Sequence, residues 1–153
     1  MSLDLSNPAL QLSFLPTPLS VIQLKPSAPI PEALLTVLAG GSSSPSPPPF
    51  LSFTRTPHET SIILATSTFN SLYPASANEQ PHETSGPWSA LVVRGPMDLS
   101  LTGIMHELTR PLKEAEVPVF ASSTWDTDYV LINEDKKEIA RAALENAGWQ
   151  FST

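Results

Sequence analysis

"WSALVVRGPMDLSLTGIMHELTRPLKEAEVPVFASSTWDTDYVLINED" runs from Trp88 to Asp135, and its reading sets the fold. Trp88 to Val93 is mostly apolar and reads as a strand. A Gly-Pro turn follows at Gly95 and Pro96. Leu101, Ile104, Met105, Leu108, Leu112 and Ala115 then recur at helical spacing and form one apolar stripe. Ser100 or Asp98 is placed to cap this helix, because a side-chain oxygen there accepts from the unpaired N–H groups of the first turn. Pro111 lies inside the pattern, so a kink or early end is expected there. Val117 to Trp125 is rich in β-forming residues, Asp126 and Thr127 make a turn, and Asp128 to Asn133 is a second strand. The two strands form a hairpin.

Downstream, "EDKKEIARAALENAG" (Glu134 to Gly148) is a helix with acids at its start. Ile139, Ala143 and Ala147 line one side, and Gly148 is its stop signal. "WQF" (Trp149 to Phe151) is short and apolar, a plausible last strand. The order β-α-β-β-α-β is the split βαβ, or ferredoxin-like, motif: both helices on one face of an antiparallel sheet.

Upstream, a weaker copy of the same order is legible. Leu10 to Leu15 alternates weakly, and Leu19 to Leu24 reads as a strand. "PEALLTVLA" (Pro31 to Ala39) is a short helix with proline at its start, where the missing N–H costs nothing. Phe50 to Thr56 and Thr60 to Ala65 form a hairpin around Pro57 to Glu59, and Phe69 to Tyr73 reads as a stunted helix. The fold class is therefore α+β, with two βαββαβ units and the N-terminal one degenerate. Prolines number seventeen and punctuate the first two-thirds of the chain. "GGSSSPSPPPF" (Gly40 to Phe50) carries a Pro/Ser-rich insertion at 41–49 that forms neither helix nor ladder. "YPASANEQPHETSGP" (Tyr73 to Pro87) reads as a loose connector. The expected organisation is a unit over 1–72, a connector over 73–87 and a unit over 88–153.

Composition narrows the function. Eight Lys and Arg against fifteen Asp and Glu give a net charge of −7 with no basic run, which argues against nucleic-acid binding. Cysteine is absent, which excludes disulfides, zinc thiolates and thiol nucleophiles. No segment approaches the ~20 apolar residues needed to span a bilayer, so a soluble, cytoplasmic protein is expected. No Gly-x-Ser-x-Gly elbow, phosphate loop or dinucleotide fingerprint occurs, so no enzyme, no cofactor and no catalytic residue is expected. "PHETS" occurs twice, at Pro57 and at Pro81, but no His-x-x-x-His spacing supports a metal site. His106 beside Met105 reads as a partly exposed helix residue.

Two stretches have the form of a binding site. In the first, Gly95 to Gly103 connects a strand to a helix N-terminus, whose unpaired N–H groups and partial positive charge suit a carboxylate. Gly103 would allow close approach of a ligand, or be small because the helix packs tightly on the sheet. In the second, "STWDTD" (Ser123 to Asp128), two aspartates flank a hairpin turn. Asp126 would bond its own backbone and Asp128 would be solvated, or Asp128 would receive the cation of an amino acid.

"FLSFTRTPHETSIIL" (Phe50 to Leu64), the run Gly95 to Gly103 and the run Ser123 to Leu131 resemble motifs of tandem ACT-domain proteins. These are small bacterial proteins and, more distantly, each half of the cytosolic arginine sensors. The resemblance spans nearly the whole chain apart from the insertion. It implies ferredoxin-like ACT units, an amino-acid effector at an interface between units, a homodimer and an unknown regulated protein. It implies ligand-binding roles for Met97, Asp98, Ser100, Thr102, Gly103, Ile104, Thr124, Trp125 and Asp128. In the arginine sensors an aspartate matching Asp128 contributes to arginine binding, and a threonine matching Thr124 lines the pocket. Those sensors also carry acids where this chain has Ser100 and Leu101, so a neutral amino acid is as good a candidate as arginine. The alternative is an ACT scaffold that serves as a dimerisation or protein-interaction module without a small ligand.

Overall fold

The computed structural model describes residues 3–40, 47–96 and 102–152. Met97, Asp98, Ser100 and Leu101 of the expected site and helix stripe lie outside the described residues, as does most of the 41–49 insertion. The chain divides into two compact units. One contains Leu19–Pro87; the other contains the residues up to Pro18 together with those from Trp88 onward.

The second of these holds β1 (Leu12–Phe14), β5 (Glu83–Val93, from Trp88 onward), α3 (Ile104–Glu114), β6 (Val119–Ser123), β7 (Asp128–Asn133) and α4 (Lys137–Asn146). The intervening elements belong to the first. β6 pairs antiparallel with β7, β7 with β5, and β5 with β1, with Leu12 opposite Val93 and Val92 opposite Tyr129. Along each strand alternate residues point to one face. Leu12, Leu91, Val93, Val130 and Ile132 share the face on which Ile104, Leu108 and Leu112 of α3 and Ala140 and Leu144 of α4 pack. Each of these large side chains contributes on the order of 1.5–3 kcal/mol by leaving water.

This corrects the expected division of the chain. Residues up to Pro18, assigned by sequence to the N-terminal unit, complete the C-terminal one. The place expected for Trp149 to Phe151 beside β5 is taken by β1. Phe151 makes only a single parallel bridge, to Leu12, on the outer side of β1. Trp149 instead turns into the core, 3% exposed.

The other unit contains β2 (Leu19–Leu24), α1 (Glu32–Ala39), β3 (Leu51–Arg55), β4 (Thr60–Ala65) and α2 (Thr66–Leu72). β4 lies between β2 and β3, antiparallel to both. Its fourth strand comes from the stretch read as a loose connector: the N–H of His82 donates to the carbonyl of Gln23 at 2.9 Å, and β5 begins at Glu83. The N-terminal repeat is therefore more complete than its sequence suggests. Ile22, Leu24, Leu34, Ile62 and Leu64 form its core.

Three local expectations also change. α3 runs through Pro111 rather than ending there, because Pro111 and Leu112 are both buried on the core side. Its N-cap is Gly103, with no side-chain cap. On α4 the buried positions are Ala140 and Leu144, while Ile139 is 47% exposed. One helical turn separates Ala140 from Leu144, and Ile139 falls on the flank of that line.

The two helices end alike. After α4, Gly148 (φ 94°) donates its N–H to the carbonyl of Glu145, and Trp149 donates to Leu144. After α3, Glu116 (φ 55°) donates to Lys113, and Val117 donates to Leu112. Both are Schellman caps closed by a hydrophobic contact, and both need a left-handed residue. Glycine adopts that conformation freely, whereas for a residue with a side chain it costs roughly 1–2 kcal/mol. Glu116→Gly should therefore raise stability by about 1 kcal/mol, measured as a higher urea midpoint with unchanged slope.

Candidate functional site

The β6–β7 hairpin tip is built by threonines. The N–H of Thr124 donates to the carbonyl of Thr127 at 2.8 Å, and the Thr124 hydroxyl donates to the same oxygen at 3.1 Å. In return the N–H of Thr127 donates to Thr124 Oγ1 at 3.3 Å. The Thr124 hydroxyl, rather than Asp126, closes the turn. The buried hydroxyl of Thr127 donates to the carbonyl of Val93. That bond fastens the tip to the end of β5, where the Gly95 to Gly103 connection begins.

Asp128 is half-buried rather than fully solvated, and its carboxylate accepts from the Ser123 hydroxyl at 2.6 Å. Strand alternation puts Asp128 on the same face as Val130 and Ile132, the face covered by α3 and α4. It thus stands at the end of the sheet from which α3 departs. Trp125, at the tip, is 83% exposed, and Thr124 is exposed beside it.

Gly103 resolves one of the alternatives left open by sequence. Its φ is +81°, and a Cβ built there would meet nothing within 4 Å. Glycine is required by the backbone turn into the helix and not by tight packing on the sheet. The carbonyl of Gly103 accepts the first helical bond, from the N–H of Glu107 at 2.9 Å. Thr102 and Gly103 are exposed, whereas Ile104 is 5% exposed and belongs to the core. The structure thus brings Thr124, Trp125 and Asp128 to the tip and Thr102 and Gly103 to the start of α3. Ile104 is withdrawn into the interior.

Sequence reasoning missed a recess of about 550 Å³ between α3 and β6, lined by His106, Thr109, Arg110, Lys113, Val117 and Val119. It arises because His106, Thr109, Arg110 and Lys113 recur at helical spacing, a signal that is present but indistinct from an ordinary solvated face. His106 is an exposed helix residue, with its imidazole 3.8 Å from the Glu107 carboxylate. Among the described residues no group of three or more His, Asp or Glu side chains could hold a metal ion. Among them, too, no helix is long and apolar enough to cross a membrane.

Thr127→Val keeps the shape of the side chain and removes its donor to Val93. It should cost about 1–2 kcal/mol, the penalty for a lost buried hydrogen bond, read as a lower thermal midpoint.

Comparison with known proteins agrees with the fold. Residues 83–146 match the family model of the ACT domain. No curated protein matches the chain in sequence. A solved protein from Agrobacterium tumefaciens is 26% identical and superposes with a TM-score of 0.70, covering 93% of this chain and 91% of that one. The regulatory subunit of aspartate kinase from Thermus flavus is 10% identical, with a TM-score of 0.58 over 90% of this chain and 96% of that one. Aspartate kinase from Synechocystis is 15% identical, with a TM-score of 0.63 over 95% of this chain and 28% of that one. The last two show the shared fold. The family match makes residues 83–146 an ACT domain, and the same β-α-β-β-α order is seen in each unit.

Proposed function

We propose that this protein is a cytoplasmic, non-catalytic regulator that binds an amino acid at the end of the sheet where β5 meets α3. One observation carries the reading: a half-buried carboxylate, Asp128, held by Ser123 on the helix-covered face, at a tip fastened to the end of β5. Such a carboxylate suits the α-ammonium of an amino acid, and a charged hydrogen bond of this kind is worth roughly 1.5–3 kcal/mol. The open space over Gly103 suits the ligand's carboxylate near the first N–H groups of α3. On this reading Met97, Asp98 and Ser100 complete the site, with Thr102, Thr124 and Trp125 around it. With no acids at Ser100 and Leu101, a neutral amino acid is as good a candidate as arginine.

The regulatory-subunit neighbours support the same class of role. A panel of the proteinogenic amino acids in a thermal-shift assay tests it. At 100 times its dissociation constant the true ligand should stabilise by ~2.7 kcal/mol. Asp128→Ala should abolish that shift. If no amino acid at millimolar concentration moves the transition, the proposal fails; if the shift survives in Asp128→Ala, the site is elsewhere.

A second reading rests on β6. Among the described residues β6 pairs only with β7, and its outer edge carries Val119, 38% exposed, and Phe120, 39% exposed. An unpaired apolar edge is a template for strand addition. A homodimer joined there would also bring a second ACT unit to the neighbourhood of α3. Light scattering on the eluting protein should give twice the monomer mass at micromolar concentration, and Phe120→Lys should return it to monomer. A wild-type monomer at that concentration would sink the dimer.

A further inference from the structure

Each unit carries a recess at the same place in its own fold. In the unit that includes β1, Arg94 follows Val93 at the end of β5, and Gln11 precedes Leu12 at the start of β1. The N–H of Arg94 donates to the carbonyl of Gln11 at 2.8 Å, and a guanidinium N–H donates to Gln11 Oε1 at 2.9 Å. The N–H of Gly95 donates to the carbonyl of Ala9 at 2.9 Å. The backbone beneath the guanidinium is therefore pinned. Arg94, Gln11, Ser13, Phe151 and Ser152 line a recess of about 540 Å³. Among the described residues no carboxylate lines it, although the chain as a whole carries −7.

The other unit repeats the arrangement. Leu24 ends β2 opposite Thr60, the first residue of β4, as Val93 ends β5 next to the start of β7. The next residue is again a cation, Lys25. His82 donates to Gln23, and two residues beyond that bond on either strand Lys25 and Gln80 come together. Both line a recess of about 430 Å³ with Ser27 and His82. A cation and a glutamine thus recur at matching positions of the two units, and a serine lines each recess.

We propose that these recesses bind small oxyanions, a carboxylate or a phosphate group, with Arg94 and Lys25 supplying the charge. The guanidinium offers a planar fork that matches two oxygens. The Gln11 carboxamide, whose oxygen is engaged by Arg94, presents its NH₂, and the hydroxyls of Ser13 and Ser152 add donors. Asp128 does not neutralise Arg94. Alternation puts Arg94 on the face opposite Val93, whereas Asp128 shares the face of Val93 and Val130. This site is therefore separate from the amino-acid site proposed above. Arg94 is exposed, so affinity on the order of millimolar and a clear weakening with salt are expected.

Amide and guanidinium nitrogen spectra of the full chain test the proposal. Sodium phosphate and sodium acetate are titrated separately, against sodium chloride at matched ionic strength. The Arg94 Nε–H, the Gln11 side-chain amide and the Ser152 backbone amide should shift and saturate, as should the Ser27 and His82 backbone amides. Arg94→Gln should abolish the first set and leave the second; Lys25→Gln should do the reverse. Saturation by phosphate alone identifies a phosphate site, by acetate alone a carboxylate site, and by both a general oxyanion site. Shifts that chloride reproduces, shifts that survive Arg94→Gln, or no shift at all would overturn the proposal.

Discussion

Leu12 opposite Val93 is the pairing on which the sheet that carries the ACT domain depends. Without β1, the end of β5 would present unpaired N–H and C=O groups on one side. Leu91 and Val93 would also lose Leu12, which is fully buried against them. The strand that closes this sheet is thus taken from the beginning of the chain. The C-terminal segment is left to a different role, with Trp149 plugging the core after α4. The single Phe151 bridge and the stacking of Phe151 on Phe14, with ring centroids 5.7 Å apart, then hold the tail against β1.

The order of elements was legible because it is a local property. The helical stripe from Ile104 to Leu112, the alternation in Asp128–Asn133 and the glycine stop at Gly148 each announce themselves within one or two turns. Which strand fills the fourth place of each sheet was not legible. Leu10 to Leu15 and Trp149 to Phe151 are both short and apolar, and only pairing with a distant strand decides between them. The same holds for Glu83 to Pro87. Its threonine, serine, glycine and proline read as connector, and its strand geometry is set by neighbours in the fold.

The candidate site shows the same division. That Thr124 to Asp128 forms a turn follows from residue type. That Thr127 reaches the carbonyl of Val93 does not, because nothing in the local pattern singles out one threonine of the two as buried. Gly103 was a glycine with two explanations. Its φ of +81° and the empty space over its Cα decide for backbone conformation. Glu116 held the same conformation unnoticed, since a glutamate gives no signal of a left-handed cap.

Strand alternation then constrains what one end of a single sheet can bind. Residues Val93 and Arg94 are neighbours in sequence yet face opposite ways. One face carries the buried packing that fixes α3 and the carboxylate of Asp128; the other carries the Arg94 guanidinium and Gln11. On the two proposals above, an amine and an oxyanion would be held a few residues apart without their protein partners pairing with each other. Had Asp128 and Arg94 shared a face at adjacent register, they would have formed an exposed ion pair worth little to stability and closed to any ligand. Separation across the sheet keeps both charges available, and it follows from alternation along β5 and from the β5–β7 register that sets Asp128 level with Val93.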